Sequence, residues 1–127
     1  MNEVGNPLRV LLVEDEALIS DMMEGELTGR GFEVCAVSNA KDALGHLARG
    51  APCDALFTDI NLAGRVDGVT LAQMARELRP ELTVVYTSGT VAGIDPSDAV
   101  TGSTFIPKPY DPEKVCAMLQ SFVAAAH

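Results

Sequence analysis

The chain of 127 residues contains no Trp, only 5% aromatic residues, nine Lys plus Arg and three Cys. Each shortage excludes something. With 47% hydrophobic residues and so few aromatics, the core must be aliphatic, and the apolar content excludes intrinsic disorder. Nine basic residues against eighteen acidic ones give a net charge of −9. That scarcity of cations argues against nucleic acid or an anionic membrane as partner, because both need a basic surface to meet phosphate. Basic partners or bound cations fit better. Cys35, Cys53 and Cys116 are widely spaced, odd in number and form no CxxC pair. They read as small core residues in a reducing cytosol, not as disulfides or a metal cage. No apolar run approaches the roughly 20 residues that cross a bilayer, and the N-terminus lacks the basic flank and apolar stretch of a leader. The expectation is a cytoplasmic protein forming a single domain over residues 1–127, since one core commonly serves about 100–150 residues.

What the chain does have is an alternation of two periodicities. Short aliphatic or β-branched runs occur at Leu8 to Val13, Glu33 to Val37, Asp54 to Thr58, Leu82 to Thr87 and Thr104 to Ile106, which predicts five strands. Between them, Ala17 to Gly29 carries Leu18, Met22 and Leu27 at helical spacing, and Asn39 opens a second helix with Ala43, Leu44 and Leu47. Leu71, Met74 or Ala75, and Leu78 mark a third helix ended by Pro80. The last helix has Asp111 as N-cap, Pro112 at its first position, and Val115, Met118, Leu119 and Phe122 on one face. Met22, Met23, Met74 and Met118 read as core packing, and the acids Asp21, Glu24 and Glu26 as a solvated face. Strands alternating with helices imply a parallel sheet covered on both faces, in which ligands collect beyond the carboxyl ends of the strands.

At those ends stand Glu14-Asp15-Glu16, Asp59, Ser88-Gly89 and Pro107-Lys108-Pro109. Carboxylates this close repel one another unless a cation sits among them. Oxygen donors without His or Cys nearby favour Mg²⁺ or Mn²⁺ over zinc, and neither His46 nor His127 falls near a strand end. A metal with Lys108 would clamp an anion bound to, or attacked by, a carboxylate. This suits phosphoryl transfer with Asp59 as nucleophile and Glu14 and Asp15 as metal ligands.

The order VLLVEDE, LFTDINL, VVYTSG and FIPKPYD resembles the receiver domain of two-component response regulators, over about residues 8–123. The resemblance implies a flavodoxin-like three-layer α/β sandwich whose five-stranded parallel sheet has the order 2-1-3-4-5. It also implies that Asp59 accepts a phosphoryl group from a histidine kinase or histidine phosphotransfer protein. Asp15 would ligate Mg²⁺ directly, Glu14 through water and Asn61 through its backbone carbonyl. Ser88, preferred to Thr87 because a small residue follows it, matches the mobile hydroxyl residue. Lys108 matches the family lysine, with a cis bond to Pro109, and Phe105 the aromatic switch. Two stretches depart from the family: DINLAGRVDG is one residue longer than usual and lacks a Pro, and GTVAGIDPSDAVTGST, where a fourth helix is expected, contains Gly93, Pro96 and Gly102. That helix should be short or irregular.

With no effector domain expected, the leading reading is a stand-alone receiver that signals to an unknown downstream protein by phosphorylation-dependent contact, or serves as a phosphate sink or relay. Autophosphorylation and slow hydrolysis would be its only catalysis. The alternatives are a small Mg²⁺-dependent phosphoryl hydrolase and a receiver used as a non-cycling binding scaffold; a phosphate-cradling GxGxxG or GxxxxGK loop is missing after the first strand. Asn61 and Thr90 flank the position where the family tunes dephosphorylation. Substituting either is expected to change the decay rate of phosphorylated protein followed by intact mass, and an unchanged rate in both variants removes the assignment.

Overall fold

A computed structural model describes residues 7–90 and 94–126. Five strands, β1 (Arg9–Val13), β2 (Glu33–Val37), β3 (Ala55–Asp59), β4 (Thr83–Ser88) and β5 (Thr104–Pro107), form one parallel sheet in the order β2-β1-β3-β4-β5. The expected order is borne out, with strand ends displaced by a residue, so that Asp59 and Ser88 close their strands instead of following them. The helices are α1 (Ala17–Gly29), α2 (Ala40–Ala48), α3 (Gly68–Leu78) and α4 (Pro112–Ala126). Among the described residues, no helix is long and apolar enough to cross a membrane.

Alternation along the strands sends successive side chains to opposite faces. Leu11, Val13, Leu56, Val84 and Tyr86 meet α2 and α3 through Ala43, Leu47, Leu71 and Ala75. On the other face Val10, Leu12, Phe57 and Val85 meet α1 and α4 through Met23, Leu27, Val115, Cys116 and Leu119. The helices start where side chains cap them. The Asn39 carbonyl oxygen accepts from the Asp42 N–H at 2.8 Å, and an Asp67 carboxylate oxygen accepts from the Thr70 N–H at 2.9 Å. Asp111 accepts from the Glu113 N–H at 3.0 Å.

Several residues expected in the core are not there. Leu18 and Met22 on α1, Met74 and Leu78 on α3, and Phe122 on α4 are exposed. Composition gives a helix its period but not its phase. On α1 the row Met23–Leu27 faces the sheet, and the row Leu18–Met22 is one residue away, about 100° round the axis. On α4 Cys116 takes the inward position that Phe122 was expected to share. All three cysteines are free, Cys116 buried and Cys35 and Cys53 half-buried.

Between β4 and β5 no helix occurs among the described residues, as Gly93, Pro96 and Gly102 foreshadow. Residues 94–103 cross the sheet as an irregular strap, with Ile94, Ala99 and Val100 packed on the core where a helix would lie. Polar side chains satisfy its backbone. The fully buried Tyr86 lends its hydroxyl oxygen to the Val100 N–H at 3.1 Å. From α3, Gln73 donates to the Asp98 carbonyl at 2.9 Å, and Arg76 donates to the carbonyls of Thr101 at 2.9 Å and Leu82 at 3.0 Å. Removing the Tyr86 acceptor leaves the Val100 amide without its partner. Tyr86→Phe is therefore expected to lower unfolding free energy by about 1 kcal/mol in urea melts, and to raise amide hydrogen exchange in residues 94–103 more than elsewhere. Uniform exchange would refute the strap's dependence on this bond.

Candidate functional site

The sheet itself aims the site residues, because its backbone pairing continues past the strand ends. The Glu14 N–H donates to the Val37 carbonyl at 3.1 Å, the Ile60 N–H to the Thr87 carbonyl at 2.8 Å, and the Lys108 N–H to the Ser88 carbonyl at 2.9 Å. Glu14, Asp59 and Lys108 are thus held at the carboxyl edge of the sheet. The Lys108–Pro109 peptide is cis, as expected from the motif.

Carboxylate oxygens of Glu14, Asp15 and Asp59 all lie within 4.8 Å of one another. Glu14 and Asp59 are buried and Asp15 is exposed. The Lys108 ammonium reaches into this cluster, 2.8 Å from Asp59 Oδ2, 3.0 Å from Glu14 Oε1 and 3.4 Å from Glu16 Oε1. Backbone amides take up further lone pairs. The Glu16 N–H donates to Glu14 Oε2 at 3.1 Å, the Asn61 N–H to Asp59 Oδ1 at 3.0 Å and the Ala63 N–H to Asp15 Oδ2 at 3.2 Å. Burial pushes the Glu14 carboxyl above the ordinary carboxylate range, against the pull of the Glu16 amide and Lys108. Burial disfavours the Lys108 ammonium too, but its bonds to Asp59 and Glu14 more than offset this and raise its pKa. The Tyr110 hydroxyl, buried and facing the Glu14 charge, is pushed up to about 12. Its ring packs on Phe57 at 5.7 Å between centroids.

One ammonium leaves the negative charge of three carboxylates uncompensated. Two buried oxygen donors, one exposed one and an open side toward solvent fit a hard divalent cation such as Mg²⁺ or Mn²⁺, which keeps part of its water shell. Zinc would call for nitrogen or sulfur ligands. His46 instead lies against Cys35 Sγ at 3.5 Å, away from the strand ends, and His127 is outside the described residues.

A second network adjoins the first. Ser88 Oγ accepts from Asn61 Nδ2 at 2.8 Å and from the Thr90 N–H at 3.1 Å, and lies 2.9 Å from Thr90 Oγ1. Ser88, Asn61 and Thr90 are therefore joined directly, and Asn61 links them to Asp59 through its amide. Thr87, the alternative hydroxyl, is buried with no hydrogen-bond partner for Oγ1 among the described residues. Phe105 is half-buried on β5 opposite Tyr86, on the core face that also meets α3.

Two residues at the site were given no individual role by the sequence. Glu16 joins the Lys108 cluster from the N-terminus of α1. Gly68 begins α3 and donates its N–H to the Ile60 carbonyl at 2.8 Å, and any Cβ there would overlap the Asp59 carbonyl oxygen. This close approach, with the bonds of Asn61 and Ala63, pins the long loop after Asp59 at both ends.

The sequence model for the response regulator receiver domain matches residues 10–120. The chain belongs to the response regulator receiver family. Among relatives, this receiver is 27% identical over 124 residues to the transcriptional regulatory protein AruR of Pseudomonas aeruginosa, covering 91% of this chain and 49% of that protein. It is 33% identical over 120 residues to the sensor protein TorS of Escherichia coli, covering 91% of this chain and 13% of TorS. The receiver thus spans half or less of these relatives. Among solved structures, a response regulator receiver protein from Sinorhizobium medicae superimposes with TM-score 0.87 at 32% identity, covering 95% of this chain and 98% of that one. The receiver domain of the hybrid histidine kinase CckA gives TM-score 0.79 at 30% identity, covering 91% and 98%.

The electrostatics of Glu14 has a measurable sign. Its native pKa lies above the unfolded value of 4.5, so the native state binds more protons across that window and stability falls as pH rises through it. The raised pKa of Lys108 acts elsewhere, its contribution being complete below 10.5 and lost only in strong alkali. In metal-free thermal melts, Glu14→Gln is expected to flatten the decline above pH 4.5. Parallel profiles for wild type and variant would contradict the burial cost assigned to Glu14.

Proposed function

We propose that Asp59 accepts a phosphoryl group from the phosphohistidine of a histidine kinase or histidine phosphotransfer protein, in a Mg²⁺-dependent reaction. The observation that carries this reading is the placement of Asp59, buried at the end of β3 between Lys108 and the acidic cluster. In the transfer, an Asp59 carboxylate oxygen attacks phosphorus and the N–P bond breaks. The imidazole nitrogen keeps the electron pair and takes a proton from solvent. A divalent cation held by Glu14, Asp15, Asp59 and the Asn61 carbonyl would neutralise charge on the phosphoryl oxygens. Lys108 exchanges its carboxylate partners for a phosphoryl oxygen, a contact that strengthens as charge builds in the transition state.

The acyl phosphate then recruits Ser88. Its hydroxyl leaves Asn61 and Thr90 to donate to a phosphoryl oxygen, and Phe105 turns inward to fill the space vacated. Asn61 and Thr90, released from Ser88, border the path of a hydrolytic water and set how long the signal persists. The changed surface around β4, the strap and β5 binds a downstream protein. A stand-alone receiver would pass its signal by that contact or act as a phosphate sink, and a cytoplasmic location belongs to the same proposal.

Incubation with Mg²⁺ and acetyl phosphate, read by intact mass, is expected to add one phosphoryl group to the wild type and none to Asp59→Asn. An adduct on Asp59→Asn, or none on the wild type, would overturn the assignment.

A further inference from the structure

Lys108 has more partners than its proposed role requires. Of the three carboxylates within reach, Glu14 and Asp59 have side chains only 2% and 6% exposed, but that of Glu16 is 62% exposed. Glu16 therefore reaches the ammonium from the solvent side, the side from which a phosphodonor must come. It is not held there for the helix's sake. As N-cap of α1 it makes no side-chain capping bond; its backbone N–H donates to Glu14 and its carbonyl accepts from the Ser20 N–H, which leaves the carboxylate for Lys108.

We propose that Glu16 is a specificity-determining residue that discriminates against free dianionic phosphodonors, leaving the site to a phosphohistidine carried on a protein. The inference rests on phosphoryl transfer to Asp59 as proposed above. A small phosphodonor meets two obstacles at Glu16. It must displace the carboxylate from Lys108 before its own oxygens can use the ammonium, and it must approach a site mouth that carries one more negative charge. The second obstacle grows with the charge of the donor. A protein donor brings its phosphoryl group on a surface whose own contacts hold it in place, so the penalty at the mouth is offset by contacts elsewhere. The position of Glu16 beside Glu14 and Asp15 in the sequence hides this difference in role, since all three are acidic and only two belong to the cation cluster.

The test compares two phosphodonors of different charge. Acetyl phosphate is a dianion at neutral pH, and its transfer to Asp59 breaks the P–O bond with acetate leaving on the electron pair. Phosphoramidate carries a smaller net charge under the same conditions and releases ammonia. With saturating Mg²⁺ and low salt, Glu16→Gln is expected to accelerate modification by acetyl phosphate roughly three- to tenfold, and modification by phosphoramidate markedly less. Because Glu16 is exposed, the difference between variant and wild type should shrink as ionic strength rises toward 0.5 M, where screening is about 4 Å in range. Glu16→Asp, which keeps the charge at the mouth, should stay near wild type. A Mg²⁺ titration of each variant, followed by thermal shift without phosphodonor, sets the saturating concentration at which the donors are compared, so that a change in cation affinity does not enter the rates. Equal acceleration with both donors, or an effect indifferent to salt, would assign Glu16 a structural role and overturn the proposal. Unchanged rates in Glu16→Gln would overturn it as well. Failure of the underlying reading looks different, as no adduct would then form on the wild type with either donor.

Discussion

Two carboxylates, Glu14 and Asp59, lie buried side by side at the carboxyl edge of the sheet, and the ammonium of Lys108 is the group that makes their burial tolerable. Like charges in a partly dry setting repel strongly, and each also loses hydration. Lys108 meets both at once, and backbone N–H groups from Glu16 and Asn61 take up remaining lone pairs. Much of the surrounding architecture serves this contact. The pairing of Lys108 N–H with the Ser88 carbonyl, the cis peptide to Pro109 and the tilted stack of Tyr110 on Phe57 all fix the segment from which the lysine springs. The compensation is incomplete, and the residual negative charge is what would draw a divalent cation to the cluster.

The opposite side of the molecule solves a different problem. A strand pair needs cover on both faces, and between β4 and β5 the chain supplies it without a helix. An irregular segment satisfies only part of its own backbone, here through Asp98 N–H to Asp95 and Ser103 N–H to Val100, so the rest passes to side chains. Tyr86 from below and Gln73 and Arg76 from α3 provide the partners. The strap follows Ser88 and Thr90 in sequence and leads directly into β5, which carries Phe105. The irregular segment therefore connects the two positions that a phosphoryl group on Asp59 would move.

The strands and the gathering of Glu14, Asp15, Asp59 and Lys108 were legible because they depend on features a sequence displays, whereas the sheet order came from the family resemblance. Continuous aliphatic runs mark doubly covered strands, and charged residues directly after such runs must lie at the sheet edge. Ser88 was separable from Thr87 only through the small residue that follows it, and the structure gives the two hydroxyls different surroundings. Phase was not legible. Leu18 and Met22 sit at a spacing as helical as that of Met23 and Leu27, and only the docking of α1 decides which row is inside. The role of Gly68 was hidden for another reason: its constraint is the nearness of the Asp59 carbonyl, not a turn conformation. The strap's anchors were equally silent, because a side chain that serves a backbone carbonyl demands nothing of the residue type at the other end.

The candidate site is assembled wholly from parts remote in the chain. Asp59 and Lys108 are 49 positions apart and Glu16 and Lys108 are 92 apart, and the sheet is what brings them together. No fragment ending before β5 contains the ammonium, and no collapsed chain lacking the β3–β4–β5 pairing brings it to the carboxylates. Competence to receive a signal is in this sense a certificate of complete folding. An unfinished or damaged copy leaves its acids solvated and apart, and under the proposed function would not draw phosphate away from intact molecules.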